Sequence, residues 1–236
     1  MNRKYNIFYF SVLTSTMDVI TSYPPNTVIV AEEQTKGRGK QERRWFSEKS
    51  NNLYMSLSIR ADDSEIDYSN YSFLVAIAVV KALEKLVEKQ INLKTKWPND
   101  ILVNDKKTGG ILLEMDRQKQ LLVIGLGLNL DRHPARSETM LFAPTDLLAE
   151  GFSLRKDNVL EEFLDYFEIY SSLFSRSGFG PIGDEWIKYA YNFGREITVK
   201  INSSSVKGIF RDLRQDGSLL LATEDGEILV RSADIF

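Results

Sequence analysis

A basic segment from Gln34 to Trp45, QTKGRGKQERRW, carries residue types suited to chemistry, with Gly37 and Gly39 flanking Arg38. Glycine lets backbone N–H groups approach an anion, and arginine offers a planar, permanently charged fork to phosphate or carboxylate oxygens. The ring of Trp45 adds a surface on which a base can stack. The further cations of the segment are Lys36, Lys40, Arg43 and Arg44. The composition therefore indicates a loop that handles phosphate or carboxylate groups.

The spacing of these glycines differs from that of the common phosphate loops. A P-loop needs GxxxxGK[ST], and a dinucleotide fingerprint needs a third glycine, whose place is taken here by Glu42. By itself the segment is therefore equally compatible with a solvated basic turn between two strands. Other parts of the chain must decide between these interpretations.

Two further segments have patterns that suit ligand binding. The proline of KWPND excludes a helix interior, so Asn99 and Asp100 belong to a strand end or a loop. In the apolar run at 121–130, Gly125 and Gly127 are two residues apart and open the same face of a strand. Something bulky is expected on that face, and a ligand, a helix or another strand would each satisfy the pattern.

Hydrophobic spacing predicts the elements that must hold these residues in place. Strands are predicted at 5–10, 27–33, 53–60, 108–115 and 121–130. Helices are predicted at 15–22, 68–89, 145–150, 157–174 and 181–191. After Gly194, which marks a domain boundary, strands are predicted at 196–201, 206–212, 218–222 and 227–230. The pattern indicates a large α+β unit followed by a small β unit.

Composition excludes several classes of function. The 236 residues include no cysteine, which rules out disulfides, thiolate metal sites and a cysteinyl thioester. The single histidine, His133, is expected in a loop, and it argues against a Ser/His/Asp hydrolase or a His-ligated zinc enzyme. A net charge of −3 argues against DNA binding, and no apolar run reaches the ~18 residues of a membrane span. A cytoplasmic protein is expected.

The segments GRG…RRW, KWPND with ILVNDKKTGGILLE, and VIGLGLNL occur in an order that resembles the biotin protein ligase family, over residues 14–130. The resemblance implies an α+β fold of the class II synthetase-like kind, with a central mixed sheet and flanking helices. It implies a catalytic domain at 1–190 and a C-terminal SH3-like β-barrel at 191–236. It also implies the short form, which lacks the N-terminal DNA-binding domain of some relatives.

The activity implied by the resemblance joins biotin to a lysine of a biotin carboxyl carrier protein or domain. A carboxylate is a poor acyl donor, so biotin first reacts with ATP to give biotinyl-AMP and pyrophosphate. Both steps develop negative charge on oxygen, which fixed cations stabilise. Two alternatives remain: a lipoate ligase of the same fold, which KWPND and GRG…RRW disfavour, and a non-catalytic biotin or nucleotide sensor. An exposed strand edge could also support a homodimer.

The resemblance assigns roles to individual residues. Arg38, Asp100 and Lys107 would be catalytic, with Lys107 holding the reacting carboxylate and Asp100 holding Mg²⁺ or orienting the phosphates. The residues expected to contact biotin are Ser15, Thr16, Gln34, Gly37, Arg38, Lys107, Gly110, Gly125 and Gly127. Those expected to contact ATP or the adenylate are Arg38, Gly39, Lys40, Arg43, Trp45, Asn99, Asp100, Lys107 and Asn129. From residue types alone, Ser15 and Thr16 could equally cap a helix, and Lys107 would be a surface lysine.

The basic segment departs from the family pattern in two places. The family commonly has arginine after GRG and a glycine two residues later, where this chain has Lys40 and Glu42. Lysine cannot make the bidentate contact of arginine, so weaker retention of biotinyl-AMP is expected. The glycines and repelling cations also predict a loop that stays mobile until a ligand binds.

Overall fold

A seven-stranded mixed sheet forms the centre of the fold, in a computed structural model that describes residues 4–61, 63, 66–138, 140, 142–201, 204–231 and 234–235. Its strands are β1 (Asn6–Leu13), β2 (Thr27–Gln34), β3 (Leu53–Arg60), β4 (Leu93–Lys96), β5 (Asp100–Val103), β6 (Lys106–Asp116) and β7 (Leu121–Leu128). They are arranged in the order β1-β2-β3-β7-β6-β5-β4. β1 and β2 are parallel, and the other neighbours are antiparallel. The predicted mixed sheet is confirmed.

Four α-helices of the described chain flank this sheet: α1 (Thr16–Val19), α2 (Tyr71–Leu86), α3 (Lys156–Ser177) and α4 (Gly180–Ile187). Short 3-10 turns lie at Ile20–Ser22, Lys40–Glu42 and Tyr68–Asn70. Twelve residues of α2 are buried, because the helix packs between the sheet and α3. A helix that is apolar on most sides needs such a surrounding.

The central sheet has two faces with different coverings. Side chains alternate along a strand, so Leu57 and Ile124 point into the core under α2, whereas Ser56 and Gly125 point to the opposite side. On that opposite side, α1 and the turn after it bury a small apolar cluster that includes Met17. The basic segment lies over the remainder. The core on one face thus fixes the strands that present polar and glycine residues on the other.

The C-terminal unit is an antiparallel sheet of β8 (Glu196–Ile201), β9 (Ser204–Leu213), β10 (Leu219–Thr223), β11 (Gly226–Val230) and β12 (Asp234–Ile235), in the order β11-β10-β9-β8-β12. The four predicted strands are confirmed, and β12 is additional. In the part of the chain described, β11 and β12 do not pair with each other, so closure into a barrel and the boundary at 190/191 stay predictions. Trp97 donates to the backbone oxygen of Gly217 at 3.0 Å and so joins this unit to the KWPND segment.

Three predicted helices differ from the observed elements. The helix predicted at 145–150 is wrong, because Asp146 accepts from the Ala149 N–H at 2.7 Å in an isolated turn that stops at Gly151, whose φ is +92°. The helix predicted at 181–191 ends at Ile187, since Ala190 pairs with the edge strand β4. The helix predicted at 68–89 begins with a 3-10 turn and ends at Leu86.

Candidate active site

A cavity of about 460 Å³ lies between the glycine-bearing face of the sheet and the basic segment. This volume falls within the range of small-molecule sites, roughly 300–1,000 Å³. The side chains that form its rim come from α1, the basic segment, the KWPND turn, β6, β7 and the segment after β7. The cavity therefore gathers residues that are far apart in the sequence.

One end of the cavity is polar and buried. Ser15 caps α1 by accepting from the Met17 N–H at 3.3 Å. Thr16 accepts from Ser56 at 2.7 Å and donates its own hydroxyl to Gln34 Oε1 at 3.2 Å, and its backbone N–H donates to the same oxygen at 2.8 Å. Ser15 and Thr16 both line the cavity and are at most 2% exposed. Helix capping and cavity lining thus coexist in one pair of hydroxyls.

The glycine face is covered by two side chains. Gly125 and Gly127 lie on the same face, as their spacing predicts, and a Cβ on Gly127 would overlap the indole of Trp45. A Cβ on Gly110 of β6 would lie 3.0 Å from the same ring, and one on Gly125 would lie 2.6 Å from Met17 Sδ. Trp45 and Met17 therefore pack where other residue types would clash.

A cluster of two lysines and one carboxylate lies beside Trp45. Lys107 Nζ is 2.6 Å from Asp100 Oδ1 and 5.6 Å from the centroid of the Trp45 ring. Lys96 Nζ is 3.9 Å from the other Asp100 oxygen and 4.7 Å from the centroid of the Phe142 ring. Two ammonium groups share one carboxylate, so the cluster carries a net positive charge that favours an anionic ligand.

The backbone around Lys107 is fixed from both sides. Lys107 is the second residue of β6, and its backbone N–H donates to the Ala143 oxygen at 2.8 Å while its backbone oxygen accepts from the Thr145 N–H at 2.8 Å. Glu150 supports this pairing, since it accepts from Asn104, Lys106 and Thr145 at 2.6–2.9 Å. Burial raises the pKa of Glu150, but these three hydrogen bonds outweigh burial and lower the pKa to about 2. Glu150 therefore remains ionised and ties the β5–β6 turn to the segment that ends at Thr145.

The basic segment folds back on itself as a short hairpin-like loop. Gly39 donates to the Arg43 oxygen at 2.7 Å, and Trp45 donates to the Gly37 oxygen at 2.9 Å. Arg38 pairs with Asp18 at 2.8 Å and also with Glu114. The structure thus presents the loop closed over the glycines, and its mobility without ligand stays a prediction.

Two buried polar atoms at the cavity have no hydrogen-bond partner among the described residues. Asn129 donates its amide N–H to the Thr145 oxygen at 3.0 Å, whereas its Oδ1 has no donor. The indole N–H of Trp45 has no acceptor. An unpaired buried polar group costs about 1–3 kcal/mol, so a ligand that supplies the missing partners gains binding energy at these positions.

All but one of the predicted site residues line this cavity. The exception is Gly37, whose Cβ would lie 2.5 Å from Ser47 Oγ, so it serves close packing of the loop. The sequence prediction assigned no role to Met17, which follows Ser15 and Thr16, or to Lys96, which is the first residue of KWPND. It also missed an apolar rim that follows β7 without any periodic pattern, formed by Pro134, Met140, Phe142 and Pro144.

The expected Mg²⁺ ligand does not have the surroundings of a resident metal site. The described residues contain no group of three or more His, Cys, Asp or Glu side chains that could hold a metal ion. Both carboxylate oxygens of Asp100 face lysine ammonium groups instead.

Among the described helices, none is long and apolar enough to cross a membrane.

Comparison with known proteins identifies the family. The model described as the Biotin/lipoate A/B protein ligase family matches residues 9–131, and the Biotin protein ligase C terminal domain matches residues 193–236. The Bifunctional ligase/repressor BirA of Bacillus subtilis is 32% identical over 240 residues, which cover 98% of this chain and 73% of that protein. The biotin–[acetyl-CoA-carboxylase] ligase of Paracoccus denitrificans is 28% identical over 214 residues, covering 88% and 89%.

Comparison with a solved structure also matches the fold of this chain to that of a biotin protein ligase. The biotin protein ligase from Aquifex aeolicus, in complex with biotin and ATP, superposes with a TM-score of 0.84 at 24% identity, covering 98% of this chain and 97% of that chain. The fold and the motifs thus agree. This chain belongs to the biotin/lipoate A/B protein ligase family.

Proposed function

We propose that this chain is a biotin protein ligase that makes biotinyl-AMP from biotin and ATP and transfers biotin to a lysine of a carrier domain. The observation that carries the proposal is the order of groups along β7. The polar end of the cavity lies beside Gly125, the Lys107–Asp100 pair lies near Gly127, and Asn129 follows. Four residues of extended strand span about 13 Å, so one elongated ligand can reach all three places.

The polar end suits the ureido group of biotin, which has one carbonyl oxygen between two N–H groups. Ser15 accepts from Met17, which leaves its hydroxyl proton available to a ligand carbonyl. Thr16 accepts from Ser56 and donates to Gln34, which leaves one lone pair for a ligand N–H. The residues thus offer both a donor and an acceptor. A purely apolar ring would leave them unpaired.

The cluster near Gly127 suits the reacting groups. Lys107 would hold the biotin carboxylate, an oxygen of which attacks the α-phosphorus of ATP while the bond to pyrophosphate breaks. Arg38, Lys40 and Arg43 line the cavity from the loop side, where they would stabilise negative charge on the phosphates. In the second step the amine of the carrier lysine attacks the biotinyl carbonyl, and AMP leaves.

One of the two unpaired atoms, Asn129 Oδ1, suits the adenine. Asn129 Oδ1 needs a donor, and the exocyclic amino group of adenine supplies one. The pairing of Asp100 with two lysines favours a role in orienting Lys107 over a role as a metal ligand. Mg²⁺ would then enter bound to the phosphates of ATP as part of the substrate, which is how this ion is commonly held.

The acceptor and the location are finer parts of the proposal. We assign the acceptor to the biotin carboxyl carrier domain of a biotin-dependent carboxylase, because the relative from Paracoccus denitrificans is named as an acetyl-CoA-carboxylase ligase. A cytoplasmic location agrees with a chain of 236 residues that contains no cysteine. A homodimer stays a prediction.

The proposal is tested by biotin-dependent exchange of labelled pyrophosphate into ATP. Purified protein should catalyse exchange with biotin and none when biotin is omitted. Exchange that depends on lipoate instead of biotin would identify a lipoate ligase. An absence of exchange with either acid, in protein that binds biotin, would identify a sensor and contradict the proposal.

A further inference from the structure

Ser47 lies just beyond the basic loop and connects its two ends. Its side chain accepts from Gln34 Nε2 at 2.9 Å and donates to the Trp45 backbone oxygen at 3.2 Å. Its backbone oxygen accepts from the Gln34 N–H at 2.9 Å. The residue is 4% exposed, so these contacts are shielded from water. Ser47 therefore fixes the loop where it begins and where it returns to the sheet.

Gln34 extends this connection to the polar end of the cavity. The oxygen of its amide accepts from the backbone and hydroxyl of Thr16, while the nitrogen of the same amide donates to Ser47. The amide group is planar and rigid. A shift of its oxygen toward or away from Thr16 therefore changes the hydrogen bond that its nitrogen makes with Ser47.

The packing around Ser47 leaves little room for independent movement. A Cβ on Gly37 would lie 2.5 Å from both Ser47 Oγ and the Trp45 oxygen, so the loop is folded tightly against this residue. The indole of Trp45 in turn rests on Gly110 and Gly127. The position of Ser47 thus sets the position of the ring that covers the cavity.

We infer that Ser47 is a positioning residue that couples occupation of the polar end of the cavity to closure of the basic loop. This inference rests on the proposed function, in which the ureido ring of biotin occupies that end. A ligand held by Thr16 fixes the amide of Gln34, which fixes Ser47 and hence Trp45. Coupling of this kind is reciprocal, so a closed loop also raises the affinity for the ring.

The test compares Ser47→Ala with the matched control Ser58→Ala. Ser58 is also buried, lies on β3 and has a hydroxyl without a hydrogen-bond partner among the described residues. Amide hydrogen exchange of Gly39 and Trp45 is measured with and without biotin. In the wild type and in Ser58→Ala, biotin should slow exchange of these amides. In Ser47→Ala this effect should fall about fivefold to tenfold, because the hydrogen bond from Gln34 that carries the coupling is lost.

A second measurement separates positioning from general damage. Release of preformed biotinyl-AMP should be faster from Ser47→Ala than from Ser58→Ala, by a similar factor, at a temperature at which both variants are fully folded. Equal loss of loop protection in both variants would overturn the inference, as would a biotin effect in Ser47→Ala as large as that in the wild type.

Failure of the proposed function can be distinguished from failure of the inference about Ser47. If the proposed function is wrong, the wild-type protein shows no biotin-dependent pyrophosphate exchange. The positioning role of Ser47 is then judged on the ligand-free protein, in which Gly39 and Trp45 should exchange faster in Ser47→Ala than in Ser58→Ala. Equal rates there would contradict the role of Ser47 whatever the substrate is.

Discussion

The two walls of the cavity are built differently. On the sheet wall, Gly110 pairs with both Gly127 and Asp100, so backbone ladders on two sides fix the groups that face the ligand. On the loop wall, Arg38 is held by ion pairs to Asp18 and Glu114, and its side chain is 40% exposed. Exposed ion pairs contribute about 0–1 kcal/mol each. The sheet wall is therefore rigid, whereas the Arg38 side chain of the loop wall can exchange its partners at little cost.

Because the two walls differ in rigidity, we expect them to serve different steps of the reaction. In the proposed mechanism, groups that must be placed accurately for adenylation, such as Lys107, belong to the sheet. Groups that must release pyrophosphate and admit a carrier lysine belong to the loop. Each variant below alters one wall, and the expected effects decrease from the first to the last.

Removal of Lys107 should give the largest effect. Lys107→Ala should lower biotin-dependent pyrophosphate exchange about a hundredfold to a thousandfold, because a fixed cation at the reacting oxygen is lost. Its neighbour Lys106 pairs with Glu150, so Lys106→Ala should leave the exchange rate near that of the wild type and lower only the free energy of unfolding. If the loss of stability in Lys107→Ala accounts for its whole loss of exchange activity, Lys107 has a structural role and no catalytic one.

A methyl group on the glycine face should rank second. Gly127→Ala puts a Cβ into the indole of Trp45, and overpacking of this kind costs about 1–3 kcal/mol, so biotin affinity should fall roughly tenfold to a hundredfold. Gly125→Ala meets the sulfur of Met17, whose flexible side chain can move aside, and it should cost less. Titration calorimetry with biotin measures both. An equal loss in the two variants would contradict the rigid placement of Trp45.

Glu150 connects stability to pH on the sheet wall. The pKa of Glu150 is lowered from 4.5 to about 2 in the folded protein, so its ionised form stabilises the fold above pH 4.5 and this stabilisation is lost as the pH falls toward 2. Glu150→Gln should lower the free energy of unfolding at pH 7 by about 1–2 kcal/mol, with a smaller difference from the wild type near pH 2. Urea unfolding at both pH values measures this. Substitution of the exposed Glu88 by Gln is the control. If the difference in unfolding free energy between Glu150→Gln and the wild type is the same at pH 7 and pH 2, the lowered pKa of Glu150 is contradicted.

The smallest effect is expected on the loop wall. Lys40 lines the cavity, whereas the side chain of Glu42 lies outside the described part of the structure. Combining Lys40→Arg with Glu42→Gly should slow release of preformed biotinyl-AMP a few-fold, because arginine can grip a phosphate with two hydrogen bonds. Release that is unchanged or faster would mean that Lys40 does not limit retention of the adenylate.

The sequence determined the local structure well where one physical signal dominated. Short apolar runs predicted β2, β3 and β7, and the glycine spacing predicted a shared face for Gly125 and Gly127. The failures lie where tertiary contacts replaced a local signal. The segment at 145–150 has helical spacing, but pairing of Thr145 with Lys107 and the left-handed backbone of Gly151 limit it to a turn.

Motif order determined the family, and the residues assigned through that resemblance, apart from Gly37, line one cavity. Only the tertiary structure decided how those residues are used. In the folded chain Trp45 packs on Gly110 and Gly127, and Asp100 forms ion pairs with Lys96 and Lys107. Ser47 accepts a hydrogen bond from Gln34 and so joins the loop to the sheet. The reason is that spacing along a chain specifies which face a side chain points to, whereas its partners depend on how strands and loops distant in sequence are brought together.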